Sequence, residues 1–213
     1  EYPKPLLRVD KKTLLTNSIL FLIDCGVKEI IINVHYLGKK IITFINKKNF
    51  KSKIYISHEK RKILGTGGGL EYANKKFRNF FQDSFITINP DTLWNSRYVK
   101  EFKIMEKFHL KYKSNQFTLL LVSKKNCFQK NLKGDFSLKY NNKKIIGPLK
   151  KKRINNYIYT GLQIVRFSYL ASALKKNKST TYPLNYFWNK AIKGNDRICA
   201  YTSKQKFFHI SNL

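Results

Sequence analysis

The order of periodicities in this 213-residue chain predicts an α/β fold, a mainly parallel sheet covered by helices. Two observations carry the prediction as far as Val122. Stretches with apolar side chains at helical spacing alternate with short β-branched runs of the kind found in strands buried on both faces. A third concerns the C-terminal part, where the alternation gives way to hairpin-like and helical segments, predicting a C-terminal β-hairpin and helical elaboration.

Residues 11–25 place Leu14, Leu15, Ile19, Leu22 and Ile23 near helical period, with Gly26 positioned as a C-terminal cap. Residues 29–34 (Glu-Ile-Ile-Ile-Asn-Val) read as a buried strand. A helix follows through Ile41, Ile42 and Ile45, then a short strand at 53–57. After a glycine cluster at 65–69, residues 70–81 are expected to be helical, 84–89 a strand, 99–112 a helix and 117–122 a strand. Residues 136–140 and 143–147 fit a hairpin turning at Asn141-Asn142. A long strand at 157–165 and helices at 168–176 and 183–193 complete the expectation. With no internal repeat and no linker, a single domain over residues 1–213 is expected. One feature is irregular: a doubly wound sheet normally opens with a central strand and a phosphate-binding turn, whereas here a helix comes first. Either the fold starts differently here, or a segment is missing upstream of Glu1.

Composition excludes several classes. A 42% hydrophobic and 15% aromatic content excludes intrinsic disorder. No apolar run approaches the ~18–20 residues of a helical membrane span, and Glu1-Tyr2-Pro3-Lys4-Pro5 carries no signal-peptide pattern. Cys25, Cys127 and Cys199 are odd in number and lack zinc-ligand spacing, which argues for a reducing, cytoplasmic setting. The net charge is +31, from 43 Lys+Arg against 12 Asp+Glu. Only seven of these cations are Arg and they are scattered, residues 150–153 being the one dense run. A solvated surface, in a composition rich in Asn, Ile, Phe and Tyr, explains the charge better than a nucleic-acid interface.

Three motifs could carry chemistry. Gly65-Thr66-Gly67-Gly68-Gly69 precedes a helix, where glycines admit a ligand close to the backbone and free amides favour anions or a base edge. It lacks the Lys-Ser/Thr ending of a Walker loop, and a plain turn stays possible. Asn89-Pro90-Asp91 follows a buried strand, where open α/β sheets bind ligands. A carboxylate there can hold Mg²⁺ or cap the following turn. Pro3-Lys4-Pro5 fixes the backbone around a Lys suited to phosphate.

Taken in order with Cys25-Gly26, the strand Ile31-Ile32-Asn33-Val34-His35, Gly134-Asp135-Phe136 and Tyr159-Thr160-Gly161-Leu162, these motifs resemble the sugar-1-phosphate nucleotidyltransferases. Within that family the chain is most similar to the N-acetylmuramate-1-phosphate uridylyltransferases of cell-wall precursor synthesis. The resemblance covers nearly the whole chain. It implies a three-layer, Rossmann-like nucleotide-diphospho-sugar transferase fold, and a reaction of a nucleoside triphosphate with a sugar 1-phosphate, UTP and an amino sugar 1-phosphate first.

It further implies that Lys4 contacts phosphates and that Thr66 and Gly67, Gly68 and Gly69 seat the nucleobase. Asp91 would coordinate Mg²⁺, Asp135, Thr160 and Gly161 would border the sugar, and Asn33 and His35 would line or support the cleft. Such displacement at phosphorus needs positioning and charge neutralisation more than a nucleophilic side chain. Two departures stand out. The family opens with a strand and an Arg-containing glycine loop, absent from this sequence, so these 213 residues alone are expected to be inactive or nearly so. At the C-terminus His209 stands where many relatives place a metal-binding Asp, and relatives continue beyond the position of Leu213 into a short helix.

His58 and Glu59 could touch ligand or solvent, His109 is expected to be structural, and Trp94 and Trp188 are expected in the core. Two other readings stay open: a non-catalytic nucleotide or sugar-phosphate binder, and a basic nucleic-acid-binding protein.

Overall fold

The computed structural model describes residues 1–77, 80–129, 131–138, 145–146, 149, 155–175 and 179–210. A single 3₁₀ turn, Lys4–Leu6, leads into a small antiparallel hairpin of β1 (Arg8–Val9) and β2 (Lys12–Thr13). The Thr13 hydroxyl caps α1 (Leu14–Asp24) by accepting from Thr16 N, and Gly26 at φ 91° ends it. Then follow β3 (Glu29–Val34), α2 (Gly38–Asn46), β4 (Lys53–His58), α3 (Gly65–Lys76), β5 (Ser84–Thr87), α4 (Ser96–Lys111) and β6 (Asn115–Ser123). The C-terminal part holds β7 (Ile145–Ile146), β8 (Tyr157–Arg166), α5 (Phe167–Lys175), α6 (Asn185–Lys193) and β9 (Arg197–Ser203).

The predicted alternation is present, and the layers follow from the pleat. Successive side chains of β6 point to opposite faces. Phe117, Leu119 and Leu121 enter a core with Leu70 and Ala73 of α3, Leu170 of α5 and Phe187 and Ala191 of α6. Leu120 enters a second core with Leu15 and Ile19 of α1, Ile41 of α2 and Tyr98, Phe102 and Met105 of α4. Strands therefore lie between two helical layers, the predicted three-layer class.

Strand direction is more mixed than the alternation suggests. The five-stranded sheet has the order β5-β8-β6-β9-β7. There β6 and β9 are parallel, while β8 is antiparallel to both β5 and β6, and β7 to β9. Thus β5, β6 and β9 run one way. The parallel pair β3–β4 forms a separate two-stranded sheet. Between β3 and β5 lies a cavity of about 900 Å³, lined by all six residues of β3 and by residues 84–90. Among the described residues, β3 pairs only with β4, and β5 only with β8.

Three expectations change. The helix expected over 70–81 starts at Gly65, so the glycine cluster is its first turn and not a loop before it. Strand β9 was not expected, although Ile198, Cys199, Ala200 and Tyr201 are buried in it. The hairpin over 136–147 lies largely outside the described residues, and its described parts pair elsewhere: Phe136 bridges Tyr157, and Ile145 and Ile146 pair with Tyr201 and Ala200 of β9. The basic run 150–153 also lies outside the described residues. No helix among the described residues is long and apolar enough to cross a membrane.

Candidate active site

The chain folds Lys4 against Asp91. Pro3 precedes the 3₁₀ turn and Pro5 lies within its first turn, while buried Leu6 anchors it to the α1–α4 core. Lys4 Nζ then donates to Asp91 Oδ2 at 2.9 Å across 87 residues of sequence. Asp91 follows β5, and three backbone links hold its loop. Asn89 N donates to the Gly161 carbonyl at 3.0 Å, Ile210 N to the Asp91 carbonyl at 2.9 Å and Leu93 N to the Phe208 carbonyl at 3.1 Å. The Asn17 amide brackets Trp94, accepting from its N–H at 2.8 Å and donating to its carbonyl at 2.9 Å.

His209 Nε2 also meets Asp91 Oδ2, at 3.2 Å. Burial alone would raise the Asp91 carboxyl. The His209 and Lys4 hydrogen bonds and their charges outweigh it and hold the group below the ordinary carboxylate value. Its other oxygen, Oδ1, is buried with no hydrogen-bond partner among the described residues. Such an oxygen suits a cation, so Asp91 fits the expected Mg²⁺ role. Among the described residues no third His, Cys, Asp or Glu completes a metal cluster. The ion would therefore draw its other ligands from phosphate oxygens and water, which is how Mg²⁺ is commonly held beside nucleotides.

The glycine turn is built against a strap at residues 179–184. Gly67 N and Gly68 N donate to the Tyr182 carbonyl at 3.0 and 3.2 Å, Tyr182 N donates to the Leu64 carbonyl, and Thr66 Oγ1 accepts from Leu184 N at 2.8 Å. A β-carbon at Gly67 would come within 2.5 Å of the Tyr182 ring, and one at Gly68 within 2.4 Å of the Thr180 carbonyl oxygen. The residues tolerated here are thus selected by backbone approach. Gly67, Gly68 and Gly69 are buried, while Gly65 and Thr66 line the cavity beside β3.

Glu59 ties this turn to β3. It is 7% exposed, its carboxylate accepts from Leu64 N at 2.9 Å, and its own N–H donates to the Val34 carbonyl. His35 Nδ1 bonds the Glu59 carbonyl, which gives His35 a supporting position at the cavity wall. Asn33 lines the same cavity, with Gly69 packed beside its amide.

On the β8 side, Thr92 Oγ1 donates to the Thr160 carbonyl and Thr160 Oγ1 to that of Leu120, placing Thr160 in the buried interior. Asp135 accepts from Tyr159 N at 2.8 Å, closing the edge of β8. The structure so joins Lys4, Asp91 and His209 in one cluster, connects it through Asn89 to Gly161, and sets Asn33 and Thr66 on the neighbouring cavity.

Sequence reasoning missed the part of Tyr182 and the anchoring part of Glu59. Each acts through backbone groups distant in sequence, and no local pattern announces that. The other candidates are structural. Trp94 stacks on Phe21 at 4.8 Å, Trp188 donates to Gln163 at 2.8 Å, and His109 is fully buried against Thr118. His58 ends β4, packed at Gly38.

The architecture is that of an α/β protein in which mixed strands lie between two helical layers. No protein-family model matches the chain. Over 111 residues, 51% of this chain, it is 29% identical to probable mannose-1-phosphate guanylyltransferase 3 of Oryza sativa subsp. japonica, and equally to mannose-1-phosphate guanylyltransferase 1 of Arabidopsis thaliana. That stretch is 29% of each relative's length.

Among solved structures, HddC from Yersinia pseudotuberculosis complexed with GMP-PN superposes with a TM-score of 0.68 at 21% identity, over 98% of this chain and 84% of that one. UDP-glucose pyrophosphorylase complexed with UDP-glucose gives 0.73 at 15% identity, over 97% and 84%. The inositol-1-phosphate CTP transferase from T. maritima gives 0.71 at 16% identity, over 98% and 80%. The fold is thus one shared with these three structures. Because these proteins are named for different nucleotides, the fold does not select a base.

Proposed function

We propose that the chain carries the active site of a sugar-1-phosphate nucleotidyltransferase, which joins a nucleoside triphosphate to a sugar 1-phosphate and releases pyrophosphate. The observation that carries this reading is the Lys4–Asp91 pair, 2.9 Å apart beyond the end of β5 and next in sequence to Asn89 and Pro90, which line the same cavity as Gly65 and Thr66. A phosphate oxygen of the sugar attacks the α-phosphorus. A new P–O bond forms as the α–β bridge breaks, and the electron pair leaves with pyrophosphate.

Lys4 supplies positive charge to the phosphates, and Asp91 would hold Mg²⁺, which would supply charge neutralisation to the triphosphate. Thr66, Gly67, Gly68 and Gly69 seat the nucleobase, Thr66 at the cavity and the buried glycines through the close backbone approach they permit. Asn33, Asp135 and Gly161 border the sugar pocket, with Thr160 behind it, its hydroxyl tied to the Leu120 carbonyl. UTP and an amino sugar 1-phosphate are the first substrates on the motif resemblance.

Among the described residues the cavity between β3 and β5 has an unpaired strand edge on each side, leaving room beside the site for the triphosphate.

The test is pyrophosphate release from UTP, GTP, CTP and dTTP against a panel of sugar 1-phosphates, using the 213-residue chain and the full-length gene product. Pyrophosphate release is expected only when both a nucleoside triphosphate and a sugar 1-phosphate are present. Nucleotide binding without turnover by the full-length product would replace the enzyme with a sensor.

A further inference from the structure

Asp91 and His209 stand side by side because backbone pairing puts them there. Thr92 and His209 form an antiparallel bridge, flanked by the Ile210 N–Asp91 O and Leu93 N–Phe208 O hydrogen bonds. The His209 ring lies nearly parallel to Phe207, at 11° and 6.2 Å, and its side chain is about a quarter exposed. On this frame Nε2 and Asp91 Oδ2 are 3.2 Å apart.

That separation fits a hydrogen bond, and it also fits two adjacent ligands of one ion. Donors about 2.1 Å from an octahedral centre and at right angles lie about 3.0 Å from each other. The second carboxylate oxygen, Asp91 Oδ1, is buried and unpartnered among the described residues. The donor set is therefore carboxylate oxygen plus imidazole nitrogen. Mg²⁺ selects hard oxygen donors, whereas imidazole gains affinity across the first transition row.

We propose that Asp91 and His209 together ligate a divalent ion, and that the imidazole moves the preference of the site from Mg²⁺ toward first-row transition ions, with Mn²⁺ as the probe. Lys4 already balances the Asp91 charge, so the ion binds most firmly together with an anionic phosphate. The inference deepens the proposed nucleotidyl transfer through the choice of metal, but its test needs no turnover.

Mn²⁺ binding to the 213-residue chain is followed by loss of the free-ion electron paramagnetic resonance signal, with and without UTP, and Mg²⁺ is titrated as competitor. Mn²⁺ is expected to bind about tenfold or more tightly than Mg²⁺. The bound ion should show ¹⁴N modulation in its spin-echo spectrum. His209→Asp should abolish that modulation and bring the two affinities together, and Asp91→Asn should remove binding, with circular dichroism melting confirming that both variants fold. Absence of Mn²⁺ binding, bound Mn²⁺ without ¹⁴N modulation, or an unchanged Mn²⁺/Mg²⁺ ratio in His209→Asp would each overturn the proposal. Metal binding as expected, with a full-length product that releases no pyrophosphate, would instead refute the enzyme reading and leave this one standing.

Discussion

Replacing Gly68 by Ala sets two physical effects against each other. Helix propensity alone favours Ala over Gly by about 1 kcal/mol inside a helix, and Gly68 lies in α3. Packing argues the other way. The added methyl would lie 2.4 Å from the Thr180 carbonyl oxygen and 3.1 Å from Leu64 Cβ. The nearer atom is main chain and cannot rotate aside, so the 179–184 strap must shift. That shift strains the Gly67 and Gly68 hydrogen bonds to the Tyr182 carbonyl.

Overpacking costs about 1–3 kcal/mol and a weakened hydrogen bond about 1 kcal/mol. After subtracting the propensity gain, a net loss of about 1–3 kcal/mol is expected. Urea unfolding at pH 7, followed by the fluorescence of Trp94 and Trp188, measures it. Gly69→Ala is the comparison: its β-carbon would meet Glu59 Oε1 at 2.5 Å and Asn33 Nδ2 at 2.9 Å, side-chain atoms able to move, so its loss should be smaller. A Gly68→Ala protein as stable as the original would refute the strap as the reason for glycine here.

Three further outcomes follow. Burial, reinforced by the Arg166 charge, pulls His109 down to about 4 from 6.5. The unfolded chain therefore takes up a proton that the native state refuses, so the stability this group contributes is complete above about pH 6.5 and falls as pH drops toward 4. The loss is about 2 kcal/mol between pH 7 and 5; His109→Gln should flatten urea midpoints in that window, and equal losses in both proteins would exclude His109 as the source. In a full-length product that turns over, Lys4→Ala should lower kcat about 10²–10³-fold by removing charge from the phosphates, and an unchanged rate of pyrophosphate release would take Lys4 out of the reaction. Burial pushes the Cys25 thiol up to about 12 against the opposing charge of Lys103, so Ellman's reagent should modify it only as fast as the chain unfolds; rapid native-state labelling at Cys25 would contradict its burial.

What the sequence by itself determined is local. Strand-like apolar runs at 29–34, 53–57 and 117–122 became β3, β4 and β6, and apolar residues at helical spacing became α1, α2 and α4, because each pattern already specifies which face is buried. The ordered motifs also pointed to the nucleotidyltransferase fold. Tertiary structure alone decided the rest. The four glycines among residues 65–69 have the poorest helix propensity after proline, yet they form the first turn of α3 because the strap at Tyr182 leaves no room for a β-carbon at Gly65, Gly67 and Gly68 and supplies a carbonyl for two amides.

The direction of β8 also escaped local reading, since a buried strand reads the same whichever way its neighbours run. His209 became a partner of Asp91 through the bridge to Thr92, across 118 residues of chain. Periodicity is written within a few residues and survives as pattern. The site arises from contacts between segments far apart in sequence, whose register only the packed sheets and cores establish.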